Sequence, residues 1–145
     1  MSENRSAVTV LAEDECWERL ASQRVGRLVT SVGDVVDLVP INFVVDDGTV
    51  VFRTAPGNKL AELTINHAVL FEVDQIGEDS GWSVVLRGNA RVLETEAETA
   101  EAETLPLKPF VPTLKPTFVR IEVRSIGGRD YRFGEEPRRE DQQEG

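Results

Sequence analysis

Trp82-Ser83-Val84-Val85-Leu86-Arg87-Gly88-Asn89-Ala90-Arg91-Val92-Leu93 is the stretch that decides the fold. Its even positions, from Trp82 through Val84, Leu86, Gly88 and Ala90 to Val92, are apolar or small. Its odd positions, Ser83, Val85, Arg87, Asn89 and Arg91, are mostly polar. A period of two is a β-strand with one face on a core and the other turned outward. Ser83 and Arg87 therefore share the outward face.

Working outward, the chain reads as further short strands with tight links. Upstream, 68–74 and 49–54 are strands, and Asp46-Asp47-Gly48 is a hairpin turn. Before that turn, 35–45 predicts one long strand. Val35, Val39, Ile41 and Phe43 lie on one face and Val36, Leu38 and Val44 on the other. A strand apolar on both faces is expected to be covered on both. Arg27 to Ser31 is the first strand, followed by a Gly33-Asp34 turn. Glu13 to Ala21 predicts an amphipathic helix with Cys16, Trp17, Leu20 and Ala21 inward and an acidic first turn.

Downstream, 94–103 is an acidic helix, and 105–116 carries four prolines and reads as a rigid connection. Strands are expected at 116–126 and 129–133. Residues 135–145 are charged, lack large apolar side chains and are expected to be disordered, leaving one domain over 1–134. The fold class is mainly β with short helices. About six or seven antiparallel strands should curl into a small barrel. A barrel this small is filled by its own side chains, so a ligand must sit outside it or between subunits.

The net charge of −10 argues against nucleic acid or an anionic membrane as partner. No apolar run approaches the ~20 residues that span a bilayer. A single cysteine allows no internal disulfide and fits a reducing, cytoplasmic setting. One histidine and one cysteine leave no Cys/His zinc set, and no metal is expected.

Against that acidic background one turn gathers cations. Phe52-Arg53-Thr54-Ala55-Pro56-Gly57-Asn58-Lys59-Leu60 runs from a strand through a Pro-Gly turn into a helix. Asn58 reads as the helix N-cap. Arg53, Thr54 and Lys59 add two cations and a hydroxyl to the helix amides, which is what a phosphate monoester needs. The bland alternative is a solvated strand end and helix start.

Other candidates carry two readings each. Asn42 is either an amide satisfied by a neighbouring turn or one facing a ligand edge. Pro40 marks a sheet edge or a bulge. Trp82 reads as packing, while Ser83 is the better polar contact. Arg87 pairs with a carboxylate or holds an anion. His67 caps carbonyls or faces water, and Cys16 fills core.

Taken together, Cys16-Trp17-Glu18-Arg19-Leu20, Val25-Gly26-Arg27-Leu28, Pro40-Ile41-Asn42-Phe43, Phe52-Arg53-Thr54 with Gly57 and Lys59, and Trp82 to Gly88 resemble the flavin-binding split-barrel superfamily that contains pyridoxamine 5'-phosphate oxidase. The likeness is to its small bacterial members. It implies a homodimer with flavin mononucleotide (FMN) at the subunit interface. Backbone from Pro40 through Ile41, Asn42 and Phe43 would line the ring, and Arg53, Thr54, Asn58 and Lys59 would take the phosphate. Trp82 and Ser83 would add contacts, and Arg129 and Arg132 would reach across the dimer. The Trp and Arg-His elements of true pyridoxamine phosphate oxidases are missing from 125–133, which argues against that reaction. The resemblance implies an FMN-binding oxidoreductase acting on a small molecule, with no catalytic side chain identified. The alternatives are a deazaflavin coenzyme, with Arg87, Arg91 and Arg129 along its acidic tail, or a non-catalytic flavin, haem or interaction protein.

Overall fold

The computed structural model describes residues 7–55, 57–107 and 117–136, with side chains undescribed at positions 58, 59, 60 and 64. The elements in chain order are β1 (Val8–Val10), α1 (Glu13–Ala21), β2 (Val25–Val32), β3 (Val35–Asn42), β4 (Val44–Asp46), β5 (Thr49–Thr54), α2 (Asn58–Ile65), β6 (Ala68–Ile76), β7 (Ser80–Val92), α3 (Glu96–Glu103) and β8 (Thr117–Arg132). The strands pair antiparallel in the order β3-β2-β6-β7-β8-β5-β4, with β1 added to β8 beside that path. This curled, mainly β sheet with short helices is the split barrel expected from the sequence.

Period two in β7 does what it dictates. Val84 and Leu86 are fully buried, while Arg87, Asn89 and Arg91 are exposed. They join Leu28, Phe52, Phe71, Val73 and Ile121 in the main core, and α1 closes it with Cys16 and Leu20. Phe43 and Phe71 meet edge to face at 4.9 Å. A smaller cluster of Val51, Leu93, Ala102, Leu107 and Phe118 lies beneath α3. Strand β5 thus buries both faces: Val50 and Phe52 in one cluster, Val51 in the other.

Strand β3 departs from expectation. Val35, Val36 and Leu38 are 61%, 66% and 60% exposed. The reason is topological: among the described residues β3 is an end strand with β2 as its one sheet neighbour. The long strand also breaks at Phe43. Its N–H donates to the Arg24 carbonyl at 3.0 Å, and its ring turns into the core. Pro40 sits on this edge strand, where its missing N–H costs no ladder bond.

The C-terminal part is one strand rather than two. Gly127 and Gly128 lie within β8. β7 covers one side of β8 along its length, while β5 and then β1 cover the other. A Cβ on Gly128 would stand 2.9 Å from the Ser83 carbonyl oxygen and 3.0 Å from Cys16 Sγ. Glycine there lets β7 and α1 close onto β8. Helix α3 starts after its Thr95 cap, whose hydroxyl accepts from the Glu98 N–H at 3.1 Å. Most of the expected proline-rich connection and of the charged tail, residues 108–116 and 137–145, falls outside the described residues. Among the described residues, no helix is long and apolar enough to cross a membrane.

Candidate functional site

Strand β5 delivers Arg53 and Thr54 to its end, and alternation sends them to opposite faces. Arg53 stands directly opposite Phe118 on β8, and its guanidinium lies 4.7 Å from that ring centre. The Thr54 hydroxyl donates to the Ala55 carbonyl at 3.2 Å. Helix α2 then begins with Gly57, not Asn58, as its N-cap; the Gly57 carbonyl accepts from the Ala61 N–H at 3.1 Å. Asn58 is the first helical residue and Lys59 the second.

The position of α2 is fixed by two polar ties to β2. The buried Thr30 hydroxyl donates to Glu62 at 2.7 Å, and Asn66 Nδ2 donates to the Ser31 carbonyl at 2.9 Å. The charge pattern at its N-terminus is unusual for this protein. The first turn of α1 holds Glu13, Asp14 and Glu15, and that of α3 holds Glu96 and Glu98, while α2 has no acid there. The partial positive end of α2 is therefore left uncompensated by any carboxylate of its own. Strand β3 comes into contact with β5, and β4, which follows Phe43, pairs Val44 with Val51, so the chain leaves Asn42 toward the Arg53 end of β5. Phe43 is the buried corner between β3 and β4.

Ser83 lies elsewhere. It stands opposite Arg129 on β8, and its hydroxyl is 2.8 Å from that of Tyr131. Both line an open cleft of about 540 Å³, together with Val10, Val85, Arg87 and Arg129. Trp82 points to the opposite face. It packs against the core and under the Arg19 guanidinium, 6.0 Å from the ring centre. Arg19 in turn donates to both Asp130 oxygens at 3.0 Å.

The site residues read from the sequence therefore form two groups. Pro40 to Asn42, Arg53, Thr54 and the start of α2 make one, and Ser83 with its cleft makes the other. Arg53 registers with Phe118 and Ser83 with Arg129. At about 3.3 Å per residue, roughly 35 Å of β8 separates those positions along the strand.

The remaining candidates separate too. Arg91 is held by Glu98 at 2.6 Å and lies 3.7 Å from Glu122, on a second cleft of about 600 Å³ that also contains His67. The hydrogen bond from Arg91 holds the Glu98 carboxyl below its ordinary range. His67 is exposed, and no set of three or more His, Cys, Asp or Glu among the described residues is placed to hold a metal ion. Cys16 is a buried free thiol, and burial pushes its pKa up, which suits core filling rather than reactivity. Sequence reasoning missed Tyr131 and the Arg19–Asp130 pair. Only the alternation Arg129, Asp130, Tyr131 hinted at them.

The family model described as pyridoxamine 5'-phosphate oxidase matches residues 12–130. A crystal structure of a candidate pyridoxamine 5'-phosphate oxidase from Corynebacterium glutamicum is 45% identical, covers 91% of this chain and 98% of its own, and superposes with a TM-score of 0.84. A Mycobacterium smegmatis structure, described as an FAD binding protein, is 46% identical over 86% of this chain and 99% of its own, with a TM-score of 0.75. An uncharacterised Mycobacterium tuberculosis protein is 46% identical over 91 residues, 63% of this chain and 83% of its own. The match spans α1 through nearly all of β8, and with it this chain belongs to the pyridoxamine 5'-phosphate oxidase family.

Proposed function

We propose that two copies of this chain hold a flavin between them and use it to oxidise or reduce a small organic molecule. One observation carries this reading: Arg53 and Thr54 run directly into the acid-free N-terminus of α2. A phosphate there would receive helix amides and the guanidinium and hydroxyl at the end of β5, and Lys59, whose side chain lies outside the described residues, adds a second cation to the sequence of this turn; that set suits a flavin phosphate. The edge of β3 from Pro40 to Asn42, beside Arg53, would lie along the ring system. Among the described residues it has no sheet neighbour on that side. Ser83, too far along β8 to join this group within one chain, would approach the flavin from the second copy. The exposed Val35, Val36 and Leu38 give that copy an apolar surface to cover.

The similarity to an FAD binding protein supports a flavin. We assign FMN because the turn offers a seat for one phosphate; the dinucleotide shares that phosphate. Of the three arginines a deazaflavin tail would use, Arg91 is already engaged by Glu98. When bound, the flavin supplies the hydride and electron chemistry. The chain's part is to fix the phosphate, present a sheet edge to the ring and shape the space beside it. A reducing, cytoplasmic setting accords with the lone thiol.

Mixed dimers test the shared site. Arg53→Ala and Ser83→Tyr chains each bind flavin weakly, while re-associated mixtures recover roughly a quarter of the wild-type sites, because each heterodimer rebuilds one intact site. No recovery on mixing, with both variants folded and dimeric, contradicts the shared site.

A further inference from the structure

We infer that the cleft on the outward face of β7 and β8 is a substrate subsite for an organic anion, an apolar body carrying a carboxylate or a similar acid group. The substrate role rests on the flavin reading above; the charge preference of the cleft does not. Its volume of about 540 Å³ is that of a small-molecule site. Its walls carry Arg87 and Arg129 and no carboxylate, in a chain with 26 acidic residues.

Neither of those two arginines is neutralised by a carboxylate among the described residues. Arg19, Arg27, Arg91 and Arg120 each have a carboxylate within 3.0 Å. Arg87 and Arg129 have neither an ion pair nor a side-chain hydrogen bond among the described residues. The acid nearest to Arg129 in sequence, Asp130, is turned to the opposite face by strand alternation, where it holds Arg19. A concave surface lined by one sign of charge focuses its field on an incoming ion.

The rest of the lining suits an organic body. Val10 and Val85 supply apolar wall. The floor includes Gly127, where an added Cβ would meet nothing within 4 Å, so the floor is left bare without any packing need for glycine. The Ser83 and Tyr131 hydroxyls bond to each other beside Arg129, and either can turn to a ligand oxygen. Arg87, four residues from Ser83 on the same face, stands about 13 Å away along β7, so the cations flank the apolar floor.

The experiment uses the full chain loaded with flavin and two probes of one shape, 2-naphthoate and its neutral amide, followed by calorimetry. The proposal expects saturable binding of the naphthoate and at least tenfold weaker binding of the amide. Arg87→Gln and Arg129→Gln should each weaken naphthoate binding about tenfold or more, as loss of a charge-assisted contact does, with flavin affinity shifted far less. Gly127→Leu should block the naphthoate while the protein stays folded. Absence of saturable naphthoate binding in the millimolar range, equal binding of the amide, or indifference to both arginine variants overturns the proposal. Competition between naphthoate and FMN on flavin-stripped protein also overturns it, because the cleft would then be the cofactor's own anion seat. A protein that takes no flavin yet binds naphthoate through the arginines supports the charge preference and refutes the cofactor assignment separately.

Discussion

Arg53 and Ser83 flank the same strand, β8, yet face it at Phe118 and Arg129, near its opposite ends. Motifs that read as one site in the sequence thus lie in two separate groups within one chain. A second copy, related by a two-fold axis, is the simplest arrangement that lets both reach one ligand.

The phosphate seat is the first point to test by substitution. Arg53→Ala and Lys59→Ala should each weaken FMN binding by ~1.5–3 kcal/mol, about tenfold to a hundredfold. Phe118 would lose its stacked guanidinium in the first variant, so folding is followed by circular dichroism alongside the flavin titration. Wild-type affinity in both variants would remove the phosphate from this turn.

Two adjacent glycines should behave oppositely. At Gly127 an added Cβ meets open space, so Gly127→Ala should leave thermal stability unchanged or slightly raised. At Gly128 it would press on the Ser83 carbonyl and Cys16 Sγ at 2.9 and 3.0 Å. Gly128→Ala should cost about 1–3 kcal/mol as overpacking does, read as a drop of several degrees in melting temperature. Equal melting points would mean that α1 and β7 do not close on β8 as described.

The edge strand provides a test of assembly. Leu38 is 60% exposed, so Leu38→Asp should leave the isolated chain's stability nearly intact. If β3 is covered by a second copy, the same change should raise the dimer dissociation constant about tenfold or more, measured by sedimentation over a dilution series. An unchanged dimer would place the interface elsewhere.

An acid-dependent contribution should come from Arg91 and Glu98. The Arg91 hydrogen bond holds the Glu98 carboxyl below its ordinary 4.5, so folding favours the ionised form. That contribution is complete above 4.5 and is lost as pH falls through the lower folded value. Arg91→Ala should therefore melt below wild type near neutral pH and converge with it in acid, below the lowered Glu98 value. The effect is small because the pair is exposed to solvent. A gap that persists in acid would assign the Arg91 effect to packing.

Much of this was legible in the sequence because local rules decided it. The alternation of β7 and the hairpin at Asp46 to Gly48 stand as read, and strand β5 is followed by a helix as expected, though Gly57 and not Asn58 is its N-cap. What was not legible depended on partners. Apolar residues on both faces of β3 look the same in sequence whether this chain or a second copy covers them. The Gly127-Gly128 pair reads as a break, yet β7 holds it in the ladder through Val85 and Val84. Val8 to Val10 is too short and exposed to signal a strand without β8 beside it. The Ser83–Tyr131 contact depended on register. A bulge leaves Arg124 without a partner between Val123 and Ser125, and no local pattern announces it.

Titration of flavin-stripped protein with FMN, followed by quenching of flavin fluorescence with the dinucleotide and a deazaflavin in parallel, decides whether this chain holds a flavin. Saturation at one FMN per chain, lost with Arg53→Ala, is the expected result. No saturable binding of FMN by the folded wild-type protein would contradict it.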